Sequence, residues 1–110
     1  MRTRDRKVLR DLAESGHLWR QRVAIIATLA FIRENDFDDT LAIADRLLDH
    51  AHDLIHKAVG WMVREVGNRD LPTMESFLKS RYGDMPRTML RYAIEKLPEP
   101  RRRAYLEGRV

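Results

Sequence analysis

The amino-acid sequence predicts an all-α protein, and three observations lead to this prediction. Apolar residues recur at intervals of three or four along most of the chain, and no segment alternates apolar and polar residues as a half-buried strand does. The length of 110 residues suits a single small domain covering residues 1–110. Charged residues make up 35% and apolar residues 44%, which favours a helical globular protein over a disordered chain.

Breaks in the apolar pattern divide the chain into six or seven helices joined by short loops. The predicted segments are Arg4 to Glu14, Leu18 to Arg33, Asp36 to His50, His52 to Val66, Asp70 to Tyr82, Pro86 to Leu97 and a last basic turn from Arg101 to Leu106. Ser15-Gly16 and Asn35-Asp36 end the first two segments. The second segment is apolar nearly all round, so we expect neighbouring helices to cover it on several sides. Acidic residues begin the third, where the helix dipole favours them.

The later boundaries carry recognisable start and stop signals. Gly67-Asn68 is typical of a helix C-terminus and is predicted to end the fourth segment. Asp70 opens the fifth segment, and Pro72 falls in its first turn, where a missing backbone N–H costs nothing. Pro86 starts the sixth segment, and Pro98 separates it from the final turn.

A short internal repeat predicts how the helices pair. Arg22-Val23-Ala24-Ile25, Lys57-Ala58-Val59-Gly60 and Arg91-Tyr92-Ala93-Ile94 recur at spacings of 35 and 34 residues. One helix pair per period predicts a HEAT-like α-solenoid of about three antiparallel pairs. Alternate helices of such a stack line the same concave surface. The helices that carry the three repeated basic residues are therefore predicted to share one face.

The charge balance favours an anionic partner. Seventeen of the 21 basic residues are arginines, the net charge is +4 and the pI is about 9.8. Arginine binds phosphate through two parallel hydrogen bonds and stacks on flat groups, so nucleic acid is the first candidate. A solvated surface with spare arginines is the alternative. No apolar run approaches the roughly 20 residues of a membrane span, and no signal peptide is recognisable, so we expect a cytoplasmic protein without a membrane partner.

Trp61 is the most informative candidate site residue. On a helix it lies beside Lys57 and Arg64, away from the apolar stripe of the same segment. Such an indole can contact a sugar or base while the cations bind flanking phosphates. The alternative is that Trp61 packs against a neighbouring repeat.

Arg22, Arg87 and Arg91 complete the set of predicted binding residues. The helix of Arg22 is apolar on almost every side, so its guanidinium must reach an anion or pair with a carboxylate such as Glu65. Arg87, Arg91 and Glu95 form one row on their helix. The basic tail around Arg101, Arg102, Arg103 and Arg109 is either a solvated end or a phosphate contact.

The sequence offers little support for metal or cofactor chemistry. His52 and His56 have the i, i+4 spacing of a zinc site, but Asp53 stands where a catalytic glutamate is needed and no third ligand is evident. A helix start explains the segment equally well. Cysteine is absent, which excludes disulfides and thiolate sites. There is no glycine-rich phosphate loop and no nucleophile motif, so we expect neither a metal nor a cofactor.

Three segments resemble the DNA alkylation repair family of AlkD-type DNA glycosylases. They are Leu18 to Ile25, His52 to Glu65 and Met85 to Lys96, and the middle one is the most specific. The resemblance implies a curved stack of HEAT-like helix pairs whose concave side holds duplex DNA. It also implies excision of alkylated purines that carry a positive charge. Arg22 matches a family arginine that contacts DNA near the lesion, and Trp61, 39 residues later, matches an aromatic residue that lies against the lesion sugar.

The resemblance covers the C-terminal half of the family's domain. In the family an upstream Trp-Asp segment supplies a second indole and the catalytic carboxylate. Here neither Trp19 nor Trp61 is followed by Asp, and no catalytic residue is assignable. We therefore expect a fragment whose first helix exposes Leu9 and Leu12, or pairs them with another copy.

Two functions follow from the sequence. The first is the DNA-binding portion of an alkylpurine DNA glycosylase, with duplex DNA as the partner and no catalytic acid of its own. The alternative is a HEAT-like scaffold for protein interactions without catalysis, in which the basic face meets an acidic protein and Trp61 is an anchor.

Overall fold

The computed structural model describes residues 3–110, so residues 1 and 2 of the predicted domain lie outside it. This part of the chain contains eight α-helical segments and no β-strand. They are α1 (Thr3–Ala13), α2 (Leu18–Ala27), α3 (Leu29–Ile32), α4 (Asp38–Arg46), α5 (Asp53–Arg69), α6 (Leu71–Lys79), α7 (Arg87–Ile94) and α8 (Glu99–Leu106). The all-helical prediction is confirmed. None of these helices combines the length and the apolar character that crossing a bilayer requires.

The contacts between helices arrange them in two layers. In the first layer α5 is central and packs against α2 on one side and α7 on the other. In the second layer α4 and α6 pack against α5, and hydrogen bonds to Glu75 join α6 to α8. The molecule measures 41 × 29 × 18 Å, and its shortest dimension fits two stacked helices about 8–10 Å apart.

The core is built around α5, because this helix contacts both layers. Its buried residues are Ile55, Ala58, Val59, Gly60, Met62, Val63 and Val66. A Cβ atom on Gly60 would lie 2.5 Å from the Met89 carbonyl oxygen and 2.6 Å from the Tyr92 Cβ. Glycine at this position therefore lets α7 approach α5 closely.

The predicted helix from Leu18 to Arg33 is interrupted at Thr28. The Thr28 hydroxyl donates a hydrogen bond to the Ile25 carbonyl at 2.6 Å, which competes with regular backbone pairing. The result is α2 followed by the short α3. The expectation that neighbours cover this segment on several sides is confirmed by the contacts of α2 with α1, α4 and α5, and one side stays open, where Trp19 is 59% and Val23 is 53% exposed.

The predicted stop at Gly67-Asn68 is wrong, because α5 continues to Arg69. A Cβ atom on Gly67 would meet the end of the Met74 side chain, which would have to shift, and this glycine lies within α5 and not at its end. The predicted start at Asp70 is confirmed. The Asp70 carboxylate accepts a hydrogen bond from the Thr73 backbone N–H at 3.2 Å and caps α6.

The apolar side of α1 packs within the molecule. Leu9 and Leu12 are half-buried against the core, so the expectation that they lack a partner is corrected. The exposed apolar side chain of α1 is Val8. Arg6 and Arg10 tie α1 to α4 by ion pairs with Asp39, which is buried.

Candidate nucleic-acid interface

The predicted binding residues lie on the three helices of the first layer. Arg22 is on α2, Lys57, Trp61 and Arg64 are on α5, and Arg87 and Arg91 are on α7. Each of these side chains is at least partly exposed. We use the name three-helix face for the set of at least partly exposed side chains on these helices that consists of Trp19, Arg22, Lys57, Trp61, Arg64, Arg87 and Arg91.

Contacts between α5 and α7 show that these two helices run in the same direction. Gly60 lies against Met89 and Tyr92, and Arg64, one turn further on, forms an ion pair with Glu95. The Arg64 side chain is 19% exposed, whereas that of Glu95 is 62% exposed. This ion pair joins the outward rows of the two helices.

A histidine joins the starts of α2 and α5. His50 Nδ1 accepts a hydrogen bond from the His52 backbone N–H at 3.0 Å, so Nε2 carries the proton and donates to Gln21 Oε1 at 2.8 Å. Burial lowers the pKa of His50, and the nearby His52 and His56 lower it further. The neutral imidazole therefore aligns α2 with α5 at the edge of the three-helix face.

The Trp61 indole is held in a defined orientation. Part of the ring packs against the core, and Nε1 donates a hydrogen bond to Glu65 Oε1 at 3.2 Å. The rest of the side chain remains accessible. The packing interpretation of Trp61 therefore describes part of the ring, and contact of the accessible part with a ligand stays a prediction.

Arg22 is half-exposed and stacks on an indole. Its guanidinium carbon lies 5.8 Å from the centre of the Trp19 ring, within cation–π range. The alternative considered for Arg22, a salt bridge to Glu65, is absent among the described residues. Trp19 is 59% exposed and was missed as a candidate because its apolar helix favours a core position. Its i, i+3 spacing from Arg22 was the available signal.

The remaining cations of the face differ in how they are paired. Lys57 forms an ion pair with Asp53 at 3.3 Å. Arg87 and Arg91 are exposed and make no ion pair within the described residues.

The tail arginines lie on α8 or beyond it, and each contacts another part of the chain. Arg101 pairs with Glu75, Arg103 with Glu99 and Arg109 with Glu107, while Arg102 donates to the Glu95 carbonyl.

Three carboxylates on or directly after the helices of this face have a partner. Asp53 binds Lys57, Glu65 binds Trp61, and Glu95 binds Arg64. We assign the catalytic role to none of these three.

The two histidines considered for metal binding have structural contacts. His52 Nδ1 accepts a hydrogen bond from the Leu54 backbone N–H at 3.1 Å and caps α5. His56 Nε2 contacts the His50 carbonyl oxygen. Within residues 3–110, no group of three or more potential metal ligands comes together.

Comparison with known proteins places the chain in a family. The model of the family described as DNA alkylation repair enzyme matches residues 1–97. No curated protein and no solved structure matches the chain. Since the family match spans most of the sequence, the chain belongs to the DNA alkylation repair enzyme family.

Proposed function

We propose that this chain is the DNA-binding portion of an alkylpurine DNA glycosylase and that its three-helix face contacts duplex DNA. The observation that carries the proposal is that all six predicted side chains lie on α2, α5 and α7, and that α5 packs against both α2 and α7. Family membership supports a role in DNA repair. A row of arginines beside two accessible indoles suits a polyanion that also presents sugars and bases.

The proposed architecture is a HEAT-like α-solenoid that corresponds to the C-terminal part of the family's domain. The basic residues Arg22, Lys57 and Arg91 recur at nearly constant spacing and fall on successive helices of the first layer. The helices between them along the chain, α4 and α6, also pack against α5. This alternation is what a stack of antiparallel helix pairs requires.

The chemistry proposed for the face is stabilisation of a sugar cation. When an alkylated purine leaves as a neutral base, positive charge develops on the sugar, and an indole face stabilises it. Trp61 would supply that face. Because Asp53, Glu65 and Glu95 are all engaged, we propose that the described residues bind damaged DNA but add little hydrolysis by themselves.

A base-release assay tests this proposal. Duplex DNA with a cationic alkylpurine is incubated with excess protein, and binding and free base are both measured. We expect binding without base release above the spontaneous rate. Rapid release would contradict the assignment of catalysis to residues outside this face, and absence of binding would contradict the proposal as a whole.

One observation favours the second candidate function, a scaffold for protein interactions. Trp19 and Val23 on α2 and Leu54 on α5 are exposed apolar side chains, which are frequent in protein interfaces. Competition between duplex DNA and an acidic polypeptide such as polyglutamate separates the two functions. We expect DNA to displace the polypeptide at equal charge concentration, whereas the reverse order would favour the scaffold.

A further inference from the structure

A small pocket lies at the junction of α5, α6 and α7. Its volume is about 160 Å³. Arg64 and Asn68 of α5 and Lys96 after α7 form its polar side, and Leu71, Met74 and Leu97 form its apolar side. Its polar side is therefore made of hydrogen-bond donors, two of them cationic.

Arg64 has unused donor capacity in this pocket. One terminal nitrogen, Nη1, binds the Glu95 carboxylate, while Nε is buried and has no hydrogen-bond partner. A guanidinium offers five N–H donors in a fixed fork. Nε has almost no accessible surface, so an oxyanion in the pocket would accept from the other terminal nitrogen, Nη2, which makes no hydrogen bond within the described residues.

The other two donors are also weakly engaged. Lys96 is exposed and makes no ion pair within the described residues. The Asn68 side-chain nitrogen makes one contact, to Glu65 Oε2, at the long distance of 3.5 Å. The only carboxylate bound to the cations of this pocket among the described residues is therefore that of Glu95.

We propose that this pocket binds one phosphate group through Arg64, Asn68 and Lys96, and that the Glu95 carboxylate occupies Arg64 when phosphate is absent. The Glu95 side chain is 62% exposed, so it can leave Arg64 for water at little cost. Free phosphate presents four oxygens and a backbone phosphodiester presents two non-bridging oxygens in a tetrahedral arrangement, and either can accept hydrogen bonds from several of these donors. Glu95 thus competes with the ligand and lowers its affinity.

Two kinds of ligand carry such a phosphate group, the backbone of DNA and free inorganic phosphate. The first source rests on the proposed function and the second does not. A titration with inorganic phosphate at constant ionic strength tests the pocket itself. The probe is ¹⁵N NMR of the full chain, followed at the Arg64 Nε–H and the Asn68 side-chain amide.

Two variants and two matched controls define the expected result. Glu95→Gln removes the competing charge and should strengthen phosphate binding about twofold to fivefold, the range of an exposed ion pair. Lys96→Gln should weaken it by a similar factor. Glu99→Gln is the control for Glu95, since Glu99 has the same side-chain exposure and pairs with Arg103. Lys79→Gln is the control for Lys96, because Lys79 is also exposed and ends α6. Both controls should leave phosphate binding unchanged.

The outcomes separate the pocket from the wider function. If phosphate shifts neither side-chain signal, or if each variant behaves like its control, the pocket assignment is overturned. If duplex DNA displaces phosphate from these signals, the backbone is the source, and if DNA binds without displacing it, free phosphate is the ligand. If DNA does not bind at all, the proposed function fails, but the phosphate titration still decides the role of the pocket.

Discussion

Glu65 orients Trp61 through the hydrogen bond that its carboxylate accepts from the indole nitrogen. Replacing Glu65 by Ala or by Gln removes the same charge, but only Gln keeps a hydrogen-bond acceptor. We predict that Glu65→Ala binds duplex DNA more weakly than Glu65→Gln by about 1 kcal/mol, the usual contribution of one hydrogen bond. Fluorescence anisotropy with labelled duplex measures both affinities. Equal affinities would mean that indole orientation is irrelevant to binding.

Trp19 is the exposed indole of the three-helix face. Because it is 59% exposed, Trp19→Ala should change the free energy of unfolding little. We predict that it weakens duplex binding by about 1–3 kcal/mol, as expected for an aromatic side chain that contacts a nucleotide. Val8→Ala on α1 is the matched control, since Val8 is an exposed apolar residue outside the three-helix face. The same loss in both variants would show a general effect of surface apolar residues.

The site residues were partly predictable from the sequence. Trp61, Lys57 and Arg64 fall on the outer side of their helix because that helix has a clear apolar stripe. The segment of Trp19 and Arg22 is apolar all round, so periodicity does not identify its outer side. The partner of Arg22 depends on neighbouring helices, which only the tertiary structure reveals.

At the scale of elements, Asp39 joins α4 to α1. It is buried and lies 3.0 Å from Arg10 Nη2 and 3.3 Å from Arg6 Nε. We predict that Asp39→Asn lowers the free energy of unfolding by about 1–3 kcal/mol, because charged hydrogen bonds are lost and two arginines lose a partner. Urea unfolding measures this change. The neighbouring exposed Asp38→Asn is the control, and an equal effect there would contradict the role of Asp39.

His50 gives the junction between α2 and α5 a pH dependence. Its pKa is lower in the folded state than its unfolded value of about 6.5. The stability that it contributes is therefore fully present above pH 6.5 and is lost as the pH falls through the folded pKa. We predict that the stability difference between the native chain and His50→Gln shrinks between pH 7.5 and pH 5. Thermal unfolding at several pH values tests this, and a constant difference would contradict it.

Helix existence was easier to predict than helix boundaries. Asp70 and Pro72 carry local signals, and α6 begins where they indicate. Gly67 and Thr28 illustrate the opposite case. Gly67 resembles the end of a helix in the sequence, but in the structure it lies beside the Met74 side chain. The interruption between α2 and α3 at Thr28 accompanies a hydrogen bond from the Thr28 hydroxyl, which the helical pattern of the sequence does not reveal. Packing decides both positions, so local propensity does not predict them.

At the scale of the whole molecule, the repeat spacing indicated which helices would be neighbours. Arg22, Lys57 and Arg91 fall on α2, α5 and α7, and α5 packs against the other two. The spacing contains no information about the pocket between α5, α6 and α7, because its walls come from three separate segments. It also does not reveal which cations are paired, since Arg64 and Glu95 are 31 residues apart.

The salt dependence of duplex DNA binding tests the central claim most directly. The double variant Arg87→Gln/Arg91→Gln removes two exposed arginines from the three-helix face, and Arg103→Gln/Arg109→Gln removes two exposed arginines from the tail. Both carry the same net charge. We predict that the first reduces the slope of log K against log salt by about 0.9 per lost phosphate contact, while the second leaves it unchanged. Equal slopes in both variants, or binding that does not depend on salt, would contradict DNA contact through this face.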